Sequence, residues 1–281
     1  MSGFIGTKLT MNLGERSYDI ILKNGALENL YQFARLDRRV AVVTDAGVPA
    51  EYAQRVADQC RDAKIITVPQ GEASKSMKIL ESVLRQMLEF NMGRGDLVIA
   101  VGGGVVGDLA GFAASIYMRG IDFINCPTTT LSMIDSSIGG KTAVDLGDTK
   151  NIVGAFWQPK LVIVDPDTLA TLPRRHYING LAEAVKASLL ADPELFGIFE
   201  KGDIDGQINE IIYRSLRFKK NIVEQDETER GMRKALNFGH TIGHGIEAVK
   251  GIKGRRTVGL FHGECVALGM LPMIESKALQ T

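Results

Sequence analysis

Three of the chain's four histidines lie in glycine-flanked, otherwise apolar segments of its C-terminal half. His240 and His244 are four residues apart in LNFGHTIGHGIEA and share one helix face, His262 lies in LFHGECVALGM, and GLAEAVK supplies Glu183 with Lys186 three residues on. A carboxylate with two imidazoles and an open coordination position is typical of catalytic zinc. The spacing is not HExxH, so a thermolysin-type site is excluded. The pattern predicts a metal centre; the alternative is histidines satisfied within a core.

A glycine-rich turn suggests a second kind of chemistry. VIAVGGGVVGDLAGFAA places Gly102, Gly103 and Gly104 after an apolar strand and before a helical run. Glycine lets the backbone approach a phosphate, and a helix N-terminus supplies N–H donors and positive dipole character. The turn predicts a nucleotide phosphate site, with an ordinary βα turn as the alternative. An earlier strand ends in Thr44-Asp45, whose carboxylate would accept from a ribose hydroxyl or simply cap a helix.

Residues 127–151, PTTTLSMIDSSIGGKTAVDLGDTKN, are dense in hydroxyl groups and carry Lys141 and Lys150. Leu131, Met133 and Ile134 are interleaved with them, as in a buried segment. Buried polar groups need partners, and a hydroxylated or phosphorylated ligand would supply them. We therefore interpret the run as ligand-binding, against the alternative of a solvated surface loop.

The elements that must position these residues fall into two sets. Strands over 20–22, 39–46, 64–69, 96–102, 123–128 and 161–166 alternate with helices over 50–63 and 76–91, which predicts a Rossmann-like parallel sheet covered on both faces. Helical patterns follow over 177–190, 195–200, 205–225, 231–249 and 263–275. The predicted domains are an NAD-binding α/β domain over 1–166 and an all-α metal- and substrate-binding domain over 167–281.

Composition narrows the function classes. The 281-residue chain is 45% apolar and 23% charged, as in a soluble globular protein, and its 33 basic residues equal its 33 acidic ones. Zero net charge argues against a nucleic-acid or membrane-surface binder. Three dispersed cysteines without a CxxC pair favour a reduced, cytoplasmic setting, and we find neither a signal peptide nor 18 consecutive apolar residues. The chain stops at Thr281 soon after a helix begins, which predicts missing C-terminal sequence.

Taken together, these segments resemble the 3-dehydroquinate synthase family of sugar-phosphate cyclases. The resemblance is carried, in order, by GExxK at 71–75, GGGVVGD, YMRG, PTTTLSMIDSSIGGKT, KNxxGAF, DPxTLxTLP, GxAExxK, DExExGxR, NFGHTIGH and FHGE. It implies conversion of 3-deoxy-D-arabino-heptulosonate 7-phosphate to 3-dehydroquinate, in the shikimate pathway of aromatic amino acid biosynthesis. The implied steps are NAD-mediated oxidation, β-elimination of phosphate, reduction, ring opening and intramolecular aldol closure.

The resemblance also assigns residues by position. NAD contacts would be Asp45, Glu72, Lys75, Gly103, Gly104, Val105, Asp108, Thr128, Thr129, Lys150, Thr168, Thr171 and Leu172. The metal, Zn²⁺ or Co²⁺, would be held by Glu183, His240 and His262. Substrate contacts would be Asp135, Lys141, Asn151, Lys186, Lys219, Arg233, Asn237 and His244, with Arg119 reaching the substrate of a neighbouring subunit and so implying a homodimer. The catalytic residues would be His244, Glu229, Lys186 and Asp135.

Other functions remain open at this point. Another NAD- and zinc-dependent sugar-phosphate cyclase would share most motifs, a metal-dependent polyol dehydrogenase would share the two-domain plan, and a non-catalytic protein of the same fold would fit a shortened chain. Family members usually continue through helices that carry one more substrate-binding lysine, and His176 stands where an acid is common. The resemblance leaves the role of His176 undefined.

Overall fold

The computed structural model describes residues 6–147, 149–249 and 259–276. Its residue contacts divide the chain into two compact units, Met1–Leu172 and Pro173–Thr281. That division falls six residues after the predicted domain boundary at 166/167. The predicted incompleteness at Thr281 lies outside the described residues.

The first unit is built on a seven-stranded sheet. In chain order the strands of this unit are β1 (Thr7–Met11), β2 (Tyr18–Leu22), β3 (Arg39–Asp45), β4 (Asp62–Val68), β5 (Leu97–Gly102), β6 (Asp122–Pro127), β7 (Lys141–Leu146), β8 (Thr149–Phe156) and β9 (Leu161–Val164). The sheet has the order β1-β2-β9-β6-β5-β3-β4 and is parallel except where β1 pairs with β2. The predicted parallel sheet is therefore confirmed, with one antiparallel edge strand that the sequence pattern did not indicate.

Helices cover both faces of this sheet. They are α1 (Ala50–Ala57), α2 (Met77–Glu89) and α3 (Gly104–Ile116). Alternate residues of β3 enter two separate apolar clusters: Ala41 and Val43 pack with α2 and α3, while Val40 and Val42 pack with α1. Successive residues of a strand point to opposite faces, so the apolar residues 40–43 of β3 contribute to both cores. This is why that stretch shows no polar side in the sequence.

The polar run at 127–151 contains an element that the sequence did not predict. β7 and β8 form an antiparallel hairpin, with Lys141 opposite Phe156 and Ala143 opposite Gly154. A Cβ at Gly154 would lie 2.1 Å from the Thr142 carbonyl oxygen, so the two strands approach more closely than another residue would allow. Val144 and Val153 pack on the core, whereas Ile152 and Phe156 are exposed on the other face. Apolar residues on both faces blur the alternation that predicts a strand, and this concealed the hairpin.

The second unit is helical in its described part. It comprises α4 (Arg174–Ala191), α5 (Pro193–Lys201), α6 (Ile208–Gln225), α7 (His240–Ala248) and α8 (His262–Glu275). Asp192 caps α5 by accepting from the Leu195 N–H at 3.0 Å, and Pro193 occupies the first helical position. No described helix is long and apolar enough to span a membrane.

The prediction of one continuous helix over 231–249 is wrong. A 3₁₀ turn over Met232–Asn237 is followed by Gly239 at φ +78°, and α7 begins only at His240. A Cβ at Gly239 would lie 2.6 Å from the Met270 side chain and 2.9 Å from the Val266 carbonyl oxygen. The left-handed glycine breaks the helix and lets the chain lie directly on α8.

Candidate functional site

Several of the predicted cofactor residues lie at one edge of the first unit's sheet. Asp45, Gly103 and Thr128 follow or end β3, β5 and β6, three adjacent parallel strands. The chain runs from β3 outward to β4 and then returns to β5 on the other side of β3, so the strand order reverses here. The carboxyl ends of parallel strands at such a reversal are where open α/β sheets bind ligands.

The glycine turn forms the start of α3. Gly103 is the N-cap residue and supplies no capping side chain, and the first N–H groups of a helix have no intrahelical partner. A Cβ at Gly104 would come within 2.9 Å of Ser136 Oγ, and one at Gly103 within 3.1 Å of the Thr129 side chain. Ser136 Oγ is itself buried without a hydrogen-bond partner among the described residues. The two glycines let this turn lie against Ser136 and Thr129, and the N–H groups of the helix start are donors of the kind that bind a phosphate.

Asp45 already has a backbone partner. Its Oδ1 accepts from the Gly47 N–H at 2.7 Å in the turn before α1, and the N-cap position of that helix is held by Pro49, so Asp45 does not cap the helix. Its second oxygen lies in the same turn at the end of β3. The ribose contact stays a prediction.

Lys75 joins three segments that are distant in sequence. Its buried ammonium donates to Asp108 Oδ2 at 2.7 Å and to Asn151 Oδ1, and Glu72 lies 4.0 Å away. The hairpin is fixed to the same residue through its backbone, because the Asp145 N–H donates to the Lys75 carbonyl at 2.8 Å. Lys75, Asp108 and Asn151, predicted from three separate motifs, are thus brought together.

Asn151 is held in an unusual backbone conformation. Its φ is +55°, a region that asparagine tolerates better than most residues, and its N–H donates to Asp145 Oδ1 at 2.7 Å. The sequence reading passed over Asp145, whose side chain and backbone both fix this turn. An acid six residues before an asparagine carries no distinctive pattern, so no sequence signal could have singled it out.

The remaining predicted residues of this unit lie around the same segments. Val105 is in the first turn of α3, Thr129 Oγ1 bonds Ser132 at 2.8 Å, and Asp135 lies in a π-helical turn over Ser132–Ser136. Thr168 and Thr171 lie in a 3₁₀ turn after β9, followed by Leu172, and Thr171 Oγ1 bonds the Tyr52 hydroxyl at 2.9 Å. Lys141 and Lys150 are exposed on the hairpin, and Arg119 is exposed with φ +70°.

The predicted metal ligands converge in the second unit. Glu183 lies in the middle of α4, while His240 and His262 are the first residues of α7 and α8. Glu183 Oε1 is 3.7 Å from His240 Nε2 and 3.9 Å from His262 Nε2, and all three donor atoms lie within 4.8 Å of one another. Tetrahedral zinc with bonds of about 2.1 Å separates its ligand atoms by about 3.4 Å. The nitrogen and oxygen atoms of these three side chains are therefore spaced closely enough to bind one divalent metal ion.

Close contacts between helix backbones hold these ligands. Asn179, one turn before Glu183 on α4, accepts the Gly263 N–H at 2.7 Å and the Glu264 N–H at 3.3 Å. A Cβ at Gly263 would lie only 1.9 Å from the Asn179 carbonyl oxygen, and one at Gly269 would lie 2.2 Å from the Gly239 carbonyl oxygen. Glycines therefore let α4, α7 and α8 meet closely enough for their side chains to share one ion.

The start of α8 is also clamped by an ion pair. Arg175 on α4 donates to both carboxylate oxygens of Glu264, at 2.8 and 2.7 Å, and its guanidinium lies 3.9 Å from the centre of the Phe261 ring. His176 stacks on that ring from a centroid distance of 4.7 Å. His176 thus contacts the residue directly before the proposed ligand His262. The sequence alone did not indicate this contact.

Each ligand imidazole has an acceptor behind it. His240 Nδ1 lies 3.3 Å from the Phe238 carbonyl oxygen, while Nε2 faces Glu183. Likewise, Glu247 Oε2 lies 3.8 Å from Nδ1 of His262 and 3.3 Å from Nδ1 of His244. Sequence reasoning missed Glu247, although its spacing of three residues from His244 and seven from His240 places it on the same helix face.

Among the described residues of this unit, three cationic side chains are buried: Lys186, Lys219 and Arg233. Lys186 forms an ion pair with Glu183 Oε2, as their spacing of three residues predicts. Arg233 donates to the Glu227 carbonyl oxygen. Ammonium and guanidinium groups are the side chains that bind carboxylate and phosphate, so this set suits an anionic ligand.

The charged segment before Arg233 is an ordered turn. Backbone N–H groups of Arg230, Gly231 and Arg233 donate to the Asp226 carboxylate at 2.7–3.0 Å and hold its pKa below the usual value. Glu229 has φ +60° and accepts from Asn237 Nδ2 at 3.1 Å. Asp226 therefore shapes the turn that presents Glu229, and is more than a solvated surface acid. His244 is exposed on α7.

Comparison with known proteins agrees with these features. Family models described as 3-dehydroquinate synthase N-terminal and C-terminal match residues 65–179 and 180–280. A 3-dehydroquinate synthase from Caulobacter vibrioides is 46% identical, over 92% of this chain and 73% of that protein. One from Pelobacter propionicus is 42% identical, over 94% of this chain and 76% of that protein. The chain belongs to the 3-dehydroquinate synthase family.

A solved structure extends the comparison to bound groups. The 2-epi-5-epi-valiolone synthase from Streptomyces hygroscopicus, solved with NAD⁺ and Zn²⁺ bound, is 31% identical with a TM-score of 0.80, covering 92% of this chain and 74% of that one. The predicted fold class, an α/β parallel-sheet domain followed by a helical part, is thereby confirmed. NAD and a divalent metal fit the two donor sets described above.

Proposed function

We propose that the chain is a 3-dehydroquinate synthase, which converts 3-deoxy-D-arabino-heptulosonate 7-phosphate to 3-dehydroquinate and phosphate with NAD and a divalent metal. The observation that carries this proposal is the Glu183, His240 and His262 donor set with the buried ammonium of Lys186 against it. Such a set suits an enzyme that acts on the hydroxyl group of an anionic substrate.

NAD would lie at the carboxyl edge of the sheet in the first unit. The start of α3 at Gly103 and Gly104 would take the pyrophosphate, because the first helix N–H groups have no intrahelical partner and glycine leaves no side chain between them and a ligand. Asp45, Thr128 and Thr129 follow adjacent strands, and Thr168, Thr171 and Leu172 follow β9. We assign the other cofactor contacts to Glu72, Lys75, Val105, Asp108 and Lys150.

The metal would be held by one carboxylate oxygen and two Nε2 atoms. We propose Zn²⁺ in this site, because a mixed nitrogen and oxygen set suits it, and Co²⁺ would be accepted by the same donors. When bound, NAD supplies reversible hydride transfer and the metal supplies Lewis acidity. The protein's own residues must then bind the anionic groups, orient the sugar and move protons.

Anion binding is the role we assign to the cationic residues. Arg233 offers a planar guanidinium suited to a carboxylate or a phosphate, while Lys186 and Lys219 offer point charges from buried positions. Asn151, held at φ +55° by Asp145, would contact substrate hydroxyls, as would Asn237. Asp135 and Lys141 complete the set proposed in the first unit.

Proton transfer would fall mainly to His244. It is an exposed imidazole one turn along α7 from the proposed ligand His240, and imidazole is a common general acid and base in enzymes. Glu229, at the ordered turn with Asn237, is the second proposed acid-base group. Lys186, paired with Glu183, would stabilise negative charge that develops next to it.

Two alternatives share this chemistry. Another sugar-phosphate cyclase is disfavoured because the identity with the 3-dehydroquinate synthases is 42–46%, against 31% with the valiolone synthase. A polyol dehydrogenase would release NADH and has no need of buried cations. Absorbance at 340 nm separates the second alternative directly, since a cyclase regenerates NAD in each turnover and accumulates no NADH.

We also propose that the enzyme acts as a cytoplasmic homodimer. Arg119 is exposed, and consecutive residues Met118 and Arg119 both have positive φ, at +50° and +70°. Backbone strain of this kind is maintained where a side chain must be presented in one direction, here towards a neighbouring subunit. Sedimentation velocity on the wild type tests the dimer, and loss of activity without loss of dimer in Arg119→Ala tests the contact.

The central test is phosphate release from the heptulosonate phosphate. We expect release that requires NAD, is abolished by a chelator and is restored by Zn²⁺. Glu183→Gln should remove it by weakening the metal site, whereas Glu200→Gln, at an exposed position on α5, should leave it unchanged. Absence of release from the folded wild type loaded with NAD and Zn²⁺, or steady accumulation of NADH, would contradict the proposed function.

A further inference from the structure

We infer that Glu247 is a positioning residue for the metal site, acting through the imidazole of His262 and also orienting His244. The inference rests on the proposed metal-binding role of Glu183, His240 and His262. Nothing in the sequence motifs assigns a role to Glu247; the position of its carboxylate does.

Glu247 lies on the same face of α7 as the two histidines of that helix. Its Oε2 is 3.3 Å from His244 Nδ1 and 3.8 Å from His262 Nδ1, and its side chain is 22% exposed. The other ring nitrogen of His262, Nε2, faces Glu183 Oε1 at 3.9 Å. The His262 ring therefore lies between two carboxylates, one on each nitrogen.

This placement selects a tautomer. A neutral imidazole carries its proton on one nitrogen, and a carboxylate beside Nδ1 favours the proton there. The lone pair then resides on Nε2, the atom that faces Glu183. His240 is arranged in the same way, with a backbone carbonyl from Phe238 behind Nδ1. Both proposed ligands thus present Nε2, and only for His262 does the orienting acceptor belong to a side chain that mutation can change.

The distances also argue against Glu247 as a ligand of the same ion. Its nearest approach to His262 is at Nδ1, the nitrogen on the opposite side of the ring from the Glu183 set. His244, Glu247 and His262 could instead hold a second ion of their own, since their donor atoms also lie within 4.8 Å of one another. That arrangement would need the Nδ1 lone pair of His262, which the positioning role assigns to a proton. Metal stoichiometry therefore separates the two roles.

The test compares Glu247→Gln and Glu247→Ala with the wild type and with Glu200→Gln, an exposed glutamate on α5. Zn²⁺ affinity is measured by competition with a chromogenic chelator, stoichiometry by atomic absorption after gel filtration, and ligand geometry by the visible spectrum of the Co²⁺-loaded protein. Urea unfolding of the metal-free proteins reports on folding separately. Glutamine keeps the shape and an acceptor oxygen but removes the charge, so it guards against a folding defect in the alanine variant.

We expect one Zn²⁺ per wild-type chain and an affinity about 10- to 100-fold weaker in Glu247→Ala, the range for removing a residue that orients a metal ligand. Glu247→Gln should lie between, both variants should alter the Co²⁺ spectrum, and metal-free stability should be unchanged. The inference would be overturned if both variants kept the wild-type Zn²⁺ affinity and Co²⁺ spectrum. It would also be overturned if the wild-type chain bound two ions and the Glu247 variants bound one. A wild type that binds no metal would instead refute the proposed function.

Discussion

The contact between Gly263 and Asn179 makes a strong prediction about the metal site. Gly263 follows the proposed ligand His262 directly, and a Cβ there would lie 1.9 Å from the Asn179 carbonyl oxygen. Cβ atoms essentially never approach other heavy atoms within 3.0 Å, so Gly263→Ala must open this contact by about 1.1 Å. Because the obstacle is backbone within α4, no side-chain rotation relieves it, and the start of α8 must move.

That movement has two measurable costs. Overpacking a close contact destabilises a protein by roughly 1–3 kcal/mol, and the Gly263 N–H bond to Asn179 Oδ1 is strained at the same time. The displacement also carries His262 away from Glu183, which lies one turn along α4 from Asn179. Metal sites tolerate errors of only about 0.2 Å in ligand distance, so we expect Zn²⁺ affinity to fall at least about 10-fold.

The matched control is Gly245→Ala on α7. This glycine is helical, exposed and has open space where its Cβ would stand, so alanine should stabilise the helix by about 0.4–1 kcal/mol and leave metal binding unchanged. Urea unfolding with and without Zn²⁺, together with chelator competition, measures both quantities. If Gly263→Ala unfolds at the wild-type urea concentration and binds Zn²⁺ as tightly, then close backbone packing does not set the ligand geometry.

Three further predictions concern the supporting residues. Lys75→Met leaves Asp108 without its ammonium partner and should lower the free energy of unfolding in urea by about 2 kcal/mol. It should also weaken NAD binding, measured by fluorescence titration, and unchanged NAD affinity would refute the proposed role of Lys75. Asp165→Ala removes the acceptor for the Gly25 and Leu27 N–H groups and should cost about 2 kcal/mol, although burial raises the pKa of Asp165. Asp226 has a lowered folded pKa, so its stabilising contribution is present above the unfolded pKa of about 3.9 and is lost as pH falls through the folded pKa. In Asp226→Asn the unfolding free energy should therefore vary less steeply with pH in that window; an unaltered slope would contradict this.

The parts of the fold that sequence reasoning predicted share a physical cause. Leu97–Gly102 is buried along its whole length, so it reads as an unbroken apolar run whose identity as a central parallel strand is clear. Once such strands are recognised, topology alone places their carboxyl ends together. The sequence therefore indicated Asp45 and the glycine turn as strand-end candidates one by one, whereas Thr128 was assigned only by the family resemblance.

The parts that escaped prediction depend on contacts that no local pattern encodes. The hairpin of β7 and β8 carries apolar residues on both faces, so its sequence shows no clean alternation. Its turn is fixed by the bond from the Asn151 N–H to Asp145 Oδ1 and by the bond from the Asp145 N–H to the Lys75 carbonyl. The break before His240 depends on Gly239 lying against α8. The spacing of Glu247 from the two histidines of α7 is visible in the sequence, but an acid on a helix face is common. Only its position beside Nδ1 of His262 indicates a role.

The two units therefore position their proposed ligands by different means, and this predicts different sensitivities. In the first unit, the proposed cofactor residues Asp45, Gly103 and Thr128 lie at the ends of adjacent strands of one sheet, so their spacing is fixed by the strand separation of about 4.8 Å and tolerates change elsewhere. In the second, the ligand spacing depends on helix backbones that touch at Gly239, Gly263 and Gly269. A single added methyl group at any of these glycines acts on the ion without touching a ligand. Metal affinity should thus be lost through substitutions at glycines that supply no ligand atom themselves.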